Sequence, residues 1–155
     1  MRINSVLCIC TGNICRSPLA EGLFRQRAPS LQVLSAGIGA VVGARMPQAA
    51  ANIAERERLA LSEHRGKQIT REMLQQADVA IVVEAGQKQW LAGNFPESMG
   101  RIFLLSHWTG GEDIEDPYRL DDQVFERVYA HIDAGVAAWL KRLRPEGGAQ
   151  AVSKS

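Results

Sequence analysis

Residues 10–18 of this chain have the sequence Cys-Thr-Gly-Asn-Ile-Cys-Arg-Ser-Pro. An apolar run over residues 5–8 precedes it and predicts a buried strand. Ser17-Pro18 then predicts the start of a helix, because Ser is favoured at the N-cap and Pro at the first helical position. A strand, a short Gly-containing loop and a helix N-terminus together form an anion site, where unpaired backbone N–H groups and the helix dipole converge. Cys10 adds a nucleophile to that site, and Arg16 adds a planar cation.

The composition is that of a globular protein of 155 residues, 46% of them apolar and 23% charged. The formal net charge of +1 provides no strong field for nucleic acid, and no apolar run approaches the roughly 18 residues that span a bilayer. We therefore expect neither a nucleic-acid partner nor membrane insertion. The three cysteines lie within eight positions, which suits neither a disulfide framework nor a metal site. A cytoplasmic location is expected.

Hydrophobic periodicity predicts strands that alternate with helices. The strands are predicted over residues 6–9, 32–35, 79–83 and 101–105, and the helices over residues 17–26, 47–58, 70–76, 86–92 and 121–140. This order indicates an α/β fold in one three-layer domain, residues 1–144, with a four-stranded parallel sheet and helices on both faces. Residues 145–155 have no periodicity and are predicted to be disordered.

Three predicted loops share one edge of this sheet. They are the loop that begins at Cys10, the small-residue loop over residues 37–43, and the polar loop that contains Asp116. Each follows the carboxyl end of a strand, and ligands of parallel sheets bind at that edge. We therefore expect these loops to open onto one site.

Residues 10–16 can surround a tetrahedral anion. A thiol near a helix N-terminus and a guanidinium is stabilised as the thiolate, so Cys10 is expected to be ionised at neutral pH. Gly12 and Asn13 tolerate the unusual dihedral angles of a tight loop. Arg16 can bind two oxygens of a phosphoryl group at once. Ser17 can cap the helix, and its hydroxyl can also form a hydrogen bond with the thiolate.

Asp116 is the candidate proton donor for such a site. A thiolate that attacks a phosphate ester forms a cysteinyl-phosphate, and the leaving oxygen then needs a proton. Pro117 favours an extended conformation at Asp116, which suits a loop held over the site. Tyr118 can provide an aromatic wall for a substrate ring. The neighbouring acids Glu112, Asp113 and Glu115 are expected to face solvent.

These motifs resemble those of the low molecular weight protein tyrosine phosphatases. The C-x5-R-S-P loop of that family is similar to residues 10–18, its Ser-Ala-Gly segment to residues 35–37, and its Asp-Pro-Tyr loop to residues 116–118. The resemblance runs from about residue 3 to 142. Residues 35–43 and His107-Trp108 are most similar to the bacterial branch, which is linked to tyrosine autokinases that control capsule or exopolysaccharide assembly.

The resemblance implies a hydrolase that removes phosphate from protein phosphotyrosine, without a cofactor or metal. Its nucleophile would be Cys10, its phosphate clamp Arg16 and its general acid and base Asp116. Its partner would be a tyrosine-phosphorylated protein, such as an autokinase, and the chain would be a monomer or weak dimer. The phosphate-binding residues would be Thr11, Gly12, Asn13, Ile14, Cys15, Arg16 and Ser17, with Asn13 and Ser17 as the supporting polar residues.

The residues around the substrate depart from the eukaryotic pattern of the family. Those members have a Trp in the loop after the second strand and paired tyrosines in the acid loop. This chain has Val41 near the first position and Tyr118-Arg119 at the second. Val41 and Tyr118 are therefore expected to contact the substrate, with an aliphatic wall on one side, and the peptide preference stays open.

Two cysteines and one histidine have competing interpretations. Cys15 either fills space beneath the loop or traps an oxidised Cys10 as a reversible disulfide, a redox role that the resemblance implies. Cys8 is best explained by core packing. His64 either anchors a surface loop or braces the site, and the surface loop is the preferred interpretation.

Three alternative functions are open. A protein arginine phosphatase has the same fold, but that branch has Thr where this chain has Ile14, and Ile suits a phenyl ring better than a guanidinium. An arsenate reductase needs relay cysteines downstream of Cys15, where the sequence has none. A non-catalytic phosphotyrosine-binding module would not need Cys10, Arg16 and Asp116 together.

Overall fold

The computed structural model describes residues 2–143, so the predicted disorder of residues 145–155 lies outside the described part of the chain. Strands and helices alternate as predicted, and each boundary falls within two residues of the predicted one. Two short 3₁₀ helices, Pro96–Arg101 and Leu105–Trp108, were not predicted. The other elements are β1 (Ser5–Cys10), α1 (Arg16–Arg27), β2 (Gln32–Gly37), α2 (Gln48–Arg56), α3 (Arg71–Gln76), β3 (Val79–Val82), α4 (Ala85–Asn94), β4 (Ile102–Leu104) and α5 (Asp122–Leu140).

The four strands form one parallel sheet in the order β2-β1-β3-β4, which confirms the predicted sheet. In its register Cys10 lies beside Gly37, and Ile9 lies beside Val82. The carboxyl ends of β1, β2 and β3 therefore lie next to one another. The site loops begin at that edge.

The core has two parts, one on each face of the sheet, because alternate residues of a strand point to opposite faces. From β1, Val6 and Cys8 enter the cluster that packs against α1, α2 and α5. Leu7 and Ile9 enter the cluster that packs against α3 and α4. This arrangement gives the predicted three layers, and it explains Cys8 as a buried packing residue. No helix in residues 2–143 is both long enough and apolar enough to cross a membrane.

The helix caps follow local sequence rules at α3 and α5. The side chain of Thr70 accepts a hydrogen bond from the Met73 backbone N–H at 3.1 Å. The carboxylate of Asp121 accepts one from the Val124 N–H at 3.1 Å. Both side chains satisfy helix donors that would otherwise lack a partner, as predicted from their positions.

The predicted cap of α1 was wrong. This helix begins at Arg16, its N-cap residue is Cys15, and no side chain caps it. Ser17 lies inside the first turn, fully buried, where its hydroxyl contacts the Cys10 thiol instead. The hydrogen bond predicted between the Ser17 hydroxyl and the Cys10 sulfur is present.

Candidate active site

The three site loops open onto one cavity at the carboxyl edge of the sheet, as the topology predicts. Its volume is about 190 Å³. A larger cavity of about 580 Å³ lies at the opposite edge, but its one charged side chain, Arg25, is already bound to the Val33 carbonyl and the Glu21 carboxylate. The chemistry therefore belongs to the smaller cavity, which is lined by Cys10, Thr11, Gly12, Ile14, Cys15, Arg16, Gly39, Val41, Asp116 and Tyr118.

The loop formed by residues 10–16 is here called the phosphate loop. Its carbonyl groups accept hydrogen bonds from neighbouring segments, which hold the loop in place. The Cys10, Thr11 and Gly12 carbonyls accept hydrogen bonds from the N–H groups of residues 38, 39 and 41 at 3.1, 3.0 and 3.0 Å. The Asn13 carbonyl accepts from Nε2 of His64 at 2.7 Å. With four successive carbonyls turned outward, the loop presents its N–H groups to the cavity.

Several of those N–H groups are free to bind an anion. Within residues 2–143, the backbone N–H groups of Gly12, Ile14 and Cys15 donate to no other group, and all three residues line the cavity. The N-terminus of α1 begins at the next residue, Arg16. Convergent N–H groups at a helix N-terminus form an anion cradle.

Two glycines allow the neighbouring segments to approach this loop. A Cβ atom at Gly37 would collide with the Thr11 carbonyl oxygen. One at Gly66 would collide with the Val41 carbonyl oxygen. With these close approaches, residues 38–44 form hydrogen bonds both to the phosphate loop and to residues 66–68, and Val41 is held in place although half of it is exposed.

Asn13 organises the interior of the phosphate loop. It is fully buried and has a left-handed backbone with φ of 58°, which its residue type tolerates as predicted. The Lys67 N–H donates to one atom of its side-chain amide at 2.9 Å, which identifies that atom as the oxygen Oδ1. The other atom is therefore the nitrogen Nδ2, a donor. Nδ2 donates to the hydroxyls of Ser17 and Ser35 at 2.8 and 3.0 Å.

These donors determine the direction of the hydrogen bond at Cys10. Since the Ser17 hydroxyl accepts from Asn13, its own proton is directed to Cys10 Sγ, 2.9 Å away. The Asn13 backbone N–H also donates to this sulfur, at 3.2 Å. Two donors stabilise a thiolate relative to a thiol, which has only weak acceptor capacity.

Cys15 differs from Cys10 although it belongs to the same loop. Burial, with smaller contributions from the nearby Cys10 and Asp116, raises the pKa of the Cys15 thiol to about 12 against the opposing effect of Arg16. Cys15 is therefore a thiol at neutral pH. Burial also raises the pKa of Cys8 well above its ordinary value, in keeping with its place in the core.

Arg16 is buried and points its guanidinium into the cavity along a fixed direction. Its Nη1 donates to Glu84 Oε2 at 2.5 Å and to the Ile114 carbonyl at 2.7 Å. Its Nη2 lies 3.8 Å from Asp116 Oδ2. One end of the guanidinium is thus anchored, and the other faces the site between the cradle and the acid.

Glu84 and Gln87 support the site from the end of β3 and were not predicted from the sequence. Gln87 is buried; its Oε1 accepts from the N–H groups of Val83 and Glu84, and its Nε2 donates to Thr11 Oγ1 at 3.1 Å. The topology of the sheet is the feature of the sequence that could have indicated these two residues. Both residues follow the carboxyl end of a central strand, where ligands of such sheets bind.

The preferred interpretation of His64 was wrong. Its imidazole braces the phosphate loop, with Nε2 bonded to the Asn13 carbonyl and Nδ1 3.9 Å from Glu21 Oε1. A carbonyl oxygen can only accept, so Nε2 carries the proton of this bond. Burial lowers the pKa of His64, and the Asn13 carbonyl and the Glu21 carboxylate oppose that effect.

Asp116 belongs to a more open segment, residues 112–120, here called the acid loop. Its side chain is 53% exposed. Oδ1 accepts from the Tyr118 N–H at 3.1 Å, which leaves Oδ2 toward Arg16. Tyr118 also lines the cavity and is 46% exposed. A carboxylate and an aromatic ring therefore stand together at the mouth of the cradle.

The other acids of this loop are exposed, as expected. Asp113 accepts from the Ala85 N–H, and Glu115 pairs with Arg127. Within residues 2–143, no group of three or more His, Cys, Asp or Glu side chains is arranged to hold a metal ion.

This combination of a cysteine loop, an arginine and an aspartate on a four-stranded parallel sheet defines a class of phosphatase. A model of the low molecular weight phosphotyrosine protein phosphatase family matches residues 5–149. The chain belongs to this family.

Individual relatives agree with that assignment. The chain is 39% identical over 145 residues to a probable low molecular weight protein-tyrosine-phosphatase, EpsP, of Ralstonia solanacearum, covering 94% of this chain and 99% of the relative. It is similar to the crystal structure of the tyrosine phosphatase Wzb from Escherichia coli K30 in complex with sulphate, with a TM-score of 0.87, 37% identity, and coverage of 90% and 98% of the two chains. The YwlE arginine phosphatase of Geobacillus stearothermophilus is more distant, with a TM-score of 0.83, 26% identity, and coverage of 90% and 92%.

Proposed function

We propose that this phosphatase hydrolyses protein phosphotyrosine by way of a cysteinyl-phosphate on Cys10. The observation that carries the proposal is the convergence of four features on one cavity: the Cys10 sulfur, free loop N–H groups, the Arg16 guanidinium and the Asp116 carboxyl group. The thiolate attacks phosphorus, the P–O bond to the tyrosine breaks, and Asp116 donates a proton to the departing phenolic oxygen. Thr11, Gly12, Asn13, Ile14, Cys15, Arg16 and Ser17 form or support the phosphate cradle.

The second step uses the same residues in reverse roles. Asp116, now a carboxylate, accepts a proton from water as the water oxygen attacks phosphorus. The S–P bond breaks, and inorganic phosphate and the Cys10 thiolate are released. Free loop N–H groups and Arg16 compensate the charge of the phosphoryl oxygens in both transition states. Water is the only co-reactant of the two steps.

Phosphotyrosine is the substrate that best suits the walls of the cavity. Val41, Ile14 and Tyr118 give it aliphatic and aromatic sides, which fit a phenyl ring. Phosphoarginine would place a polar guanidinium beside Ile14. The greater distance of the arginine phosphatase relative also favours phosphotyrosine.

The decisive assay compares hydrolysis of phosphotyrosine, phosphoarginine and phosphoserine peptides with a chelator present throughout. We expect turnover on phosphotyrosine to exceed the other two by orders of magnitude. Preferred turnover of phosphoarginine would replace the proposed substrate, and binding of phosphotyrosine peptides without turnover would indicate a binding module.

The partner proposed for this enzyme is a bacterial tyrosine autokinase in capsule or exopolysaccharide control, and the enzyme acts as a cytoplasmic monomer or weak dimer. Support comes from the similarity to EpsP and Wzb and from the motifs of the bacterial branch. Deletion of the gene should increase phosphotyrosine on such a kinase. Unchanged kinase phosphorylation would contradict this partner.

We further propose that Cys15 protects Cys10 from irreversible oxidation. A peroxide oxidises the Cys10 thiolate to a sulfenic acid, and the Cys15 thiol then displaces water to form a disulfide, which two electrons from a thiol reductant reopen. Support comes from their shared cavity and from the electrostatic influence of Cys10 on Cys15. After peroxide treatment, a Cys15→Ala variant should recover less activity than the unchanged enzyme with a thiol reductant; equal recovery would remove this role.

A further inference from the structure

Arg119 occupies a backbone conformation that favours glycine. Its φ is +66°, and it lies in a turn in which the Leu120 N–H donates to the Pro117 carbonyl at 2.9 Å. Residues other than Gly, Asn and Asp are strained in this region, and strain of this kind gathers at functional positions. Glycine would make the same turn without strain. Arg58 has the same backbone conformation elsewhere in the chain, so what distinguishes Arg119 is the place where its side chain lies.

The side chain of Arg119 lies at the mouth of the site. Its guanidinium carbon lies 5.3 Å from the centroid of the Tyr118 ring. That ring lines the cavity in which the substrate phenyl group is expected. A cation over an aromatic face is held in place by the ring quadrupole. The acid loop thus fixes a positive charge beside the entrance to the cavity.

This charge is available to a ligand. Within residues 2–143, Arg119 forms an ion pair with no carboxylate, and its side chain donates no hydrogen bond to the protein. Two acids near it in the chain have other partners: Glu115 pairs with Arg127 at 2.8 Å, and Asp121 caps α5. Arg119 is also exposed, so a peptide at the cavity mouth can reach it.

We propose that Arg119 determines specificity by binding an acidic side chain adjacent to the phosphotyrosine of a protein substrate. The proposal rests on the proposed phosphotyrosine hydrolase function. The ring of the phosphotyrosine lies between Val41 and Tyr118, and the flanking residue emerges where the Arg119 guanidinium stands. An exposed ion pair of this type changes kcat/KM by roughly two- to five-fold, and added salt screens it.

The experiment compares phosphotyrosine peptides that carry glutamate or glutamine on either side of the phosphotyrosine. The readout is the ratio of kcat/KM for the glutamate peptide to that for the glutamine peptide, at low and high salt. The variants are Arg119→Gln, which removes the charge, and Arg119→Gly, which removes the side chain and its strain. Arg119→Lys keeps the charge.

Arg58→Gln is the matched control. Arg58 is also an exposed arginine with positive φ, here 57°, and it forms no ion pair within the described residues. It lines a different cavity, beside α2. Thermal unfolding of each variant checks that the fold is retained.

We expect the unchanged enzyme and Arg58→Gln to prefer at least one glutamate peptide by about two- to five-fold at low salt. Arg119→Gln and Arg119→Gly should lower the ratio to about one, and Arg119→Lys should keep part of the preference. A ratio of one in the unchanged enzyme, an unaltered preference in Arg119→Gln, or an equal loss on all peptides would overturn the proposal. If no phosphotyrosine peptide is hydrolysed at all, the proposed function fails instead.

Discussion

The phosphate loop and the acid loop meet at one cavity but are constructed differently. Five of the seven residues of the phosphate loop are buried, and the carbonyls of residues 10–13 each accept a hydrogen bond from a neighbouring segment. The acid loop has the side chains of Asp116 and Tyr118 about half exposed, and its buried residues are Ile114 and Pro117. The loop that must match a tetrahedral anion is rigid before substrate arrives. The loop that supplies a proton and admits the substrate remains at the surface.

The largest effect expected from a change in the acid loop is on kcat, with little effect on stability. Asp116→Asn should lower kcat for phenyl phosphates with poor leaving groups by about 10²- to 10⁴-fold, because the leaving oxygen loses its proton donor. Esters with good leaving groups should be affected much less. Stopped-flow or steady-state assays across a leaving-group series check this, and equal loss across the series would show that Asp116 is not the donor. The free energy of unfolding should change by no more than about 0.5 kcal/mol, since the side chain is exposed.

The matching change in the phosphate loop should damage both stability and activity. Asn13→Ala removes the two donors to Ser17 and Ser35 and leaves the Lys67 N–H without its acceptor. The free energy of unfolding should fall by about 2–4 kcal/mol, because buried polar groups lose their partners and alanine is strained at positive φ. Denaturant unfolding measures this fall. A stable Asn13→Ala protein with full activity would mean that the two loops do not differ as described.

The anchoring of Arg16 is expected to have a smaller effect. Glu84→Gln removes the negative charge that holds Nη1 but retains a group able to accept a hydrogen bond. We expect kcat/KM to fall by about ten-fold, equivalent to roughly 1.4 kcal/mol, because one charge-assisted hydrogen bond weakens. Kinetic assays on one phosphotyrosine peptide test this. No change in kcat/KM would show that the Ile114 carbonyl alone positions the guanidinium.

The smallest effect is expected at the rim of the acid loop. Leu120 is 48% exposed and belongs to no core cluster. Leu120→Ala should therefore change the free energy of unfolding by about 0.5 kcal/mol or less. Chemical denaturation provides the test. A loss comparable to that of Asn13→Ala would mean that the acid loop is as tightly integrated as the phosphate loop.

The sequence predicted those parts of the molecule that local patterns determine. Strand and helix periodicity gave the parallel sheet, and the spacing from Cys10 to Arg16 gave the cradle at its edge. Asp121 and Thr70 were predicted as caps because only the adjacent turn matters to them. Asp116 could be placed at the same edge because topology determines where the loop after a parallel strand emerges.

The missed features depend on contacts between distant parts of the chain. His64 is 51 positions from the Asn13 carbonyl that it binds, and Glu84 is 68 positions from Arg16. Neither pairing has a local pattern. Ser17 is a case in which a local rule gave a wrong prediction. The rule predicted a helix cap, but the Ser17 hydroxyl forms hydrogen bonds with the Cys10 sulfur and the Asn13 amide. Tertiary contacts overrode the local preference there.

Attack of the Cys10 thiolate on phosphorus can be tested by capturing the product of that attack. The enzyme is mixed with excess aryl phosphate, quenched in acid within the first turnovers, digested and analysed by mass spectrometry. We expect phosphate covalently bound to Cys10, and we expect a Cys10→Ser variant to bind inorganic phosphate but to show neither adduct nor turnover. Absence of phosphate on Cys10 during turnover, or sustained hydrolysis by Cys10→Ser, would contradict this mechanism.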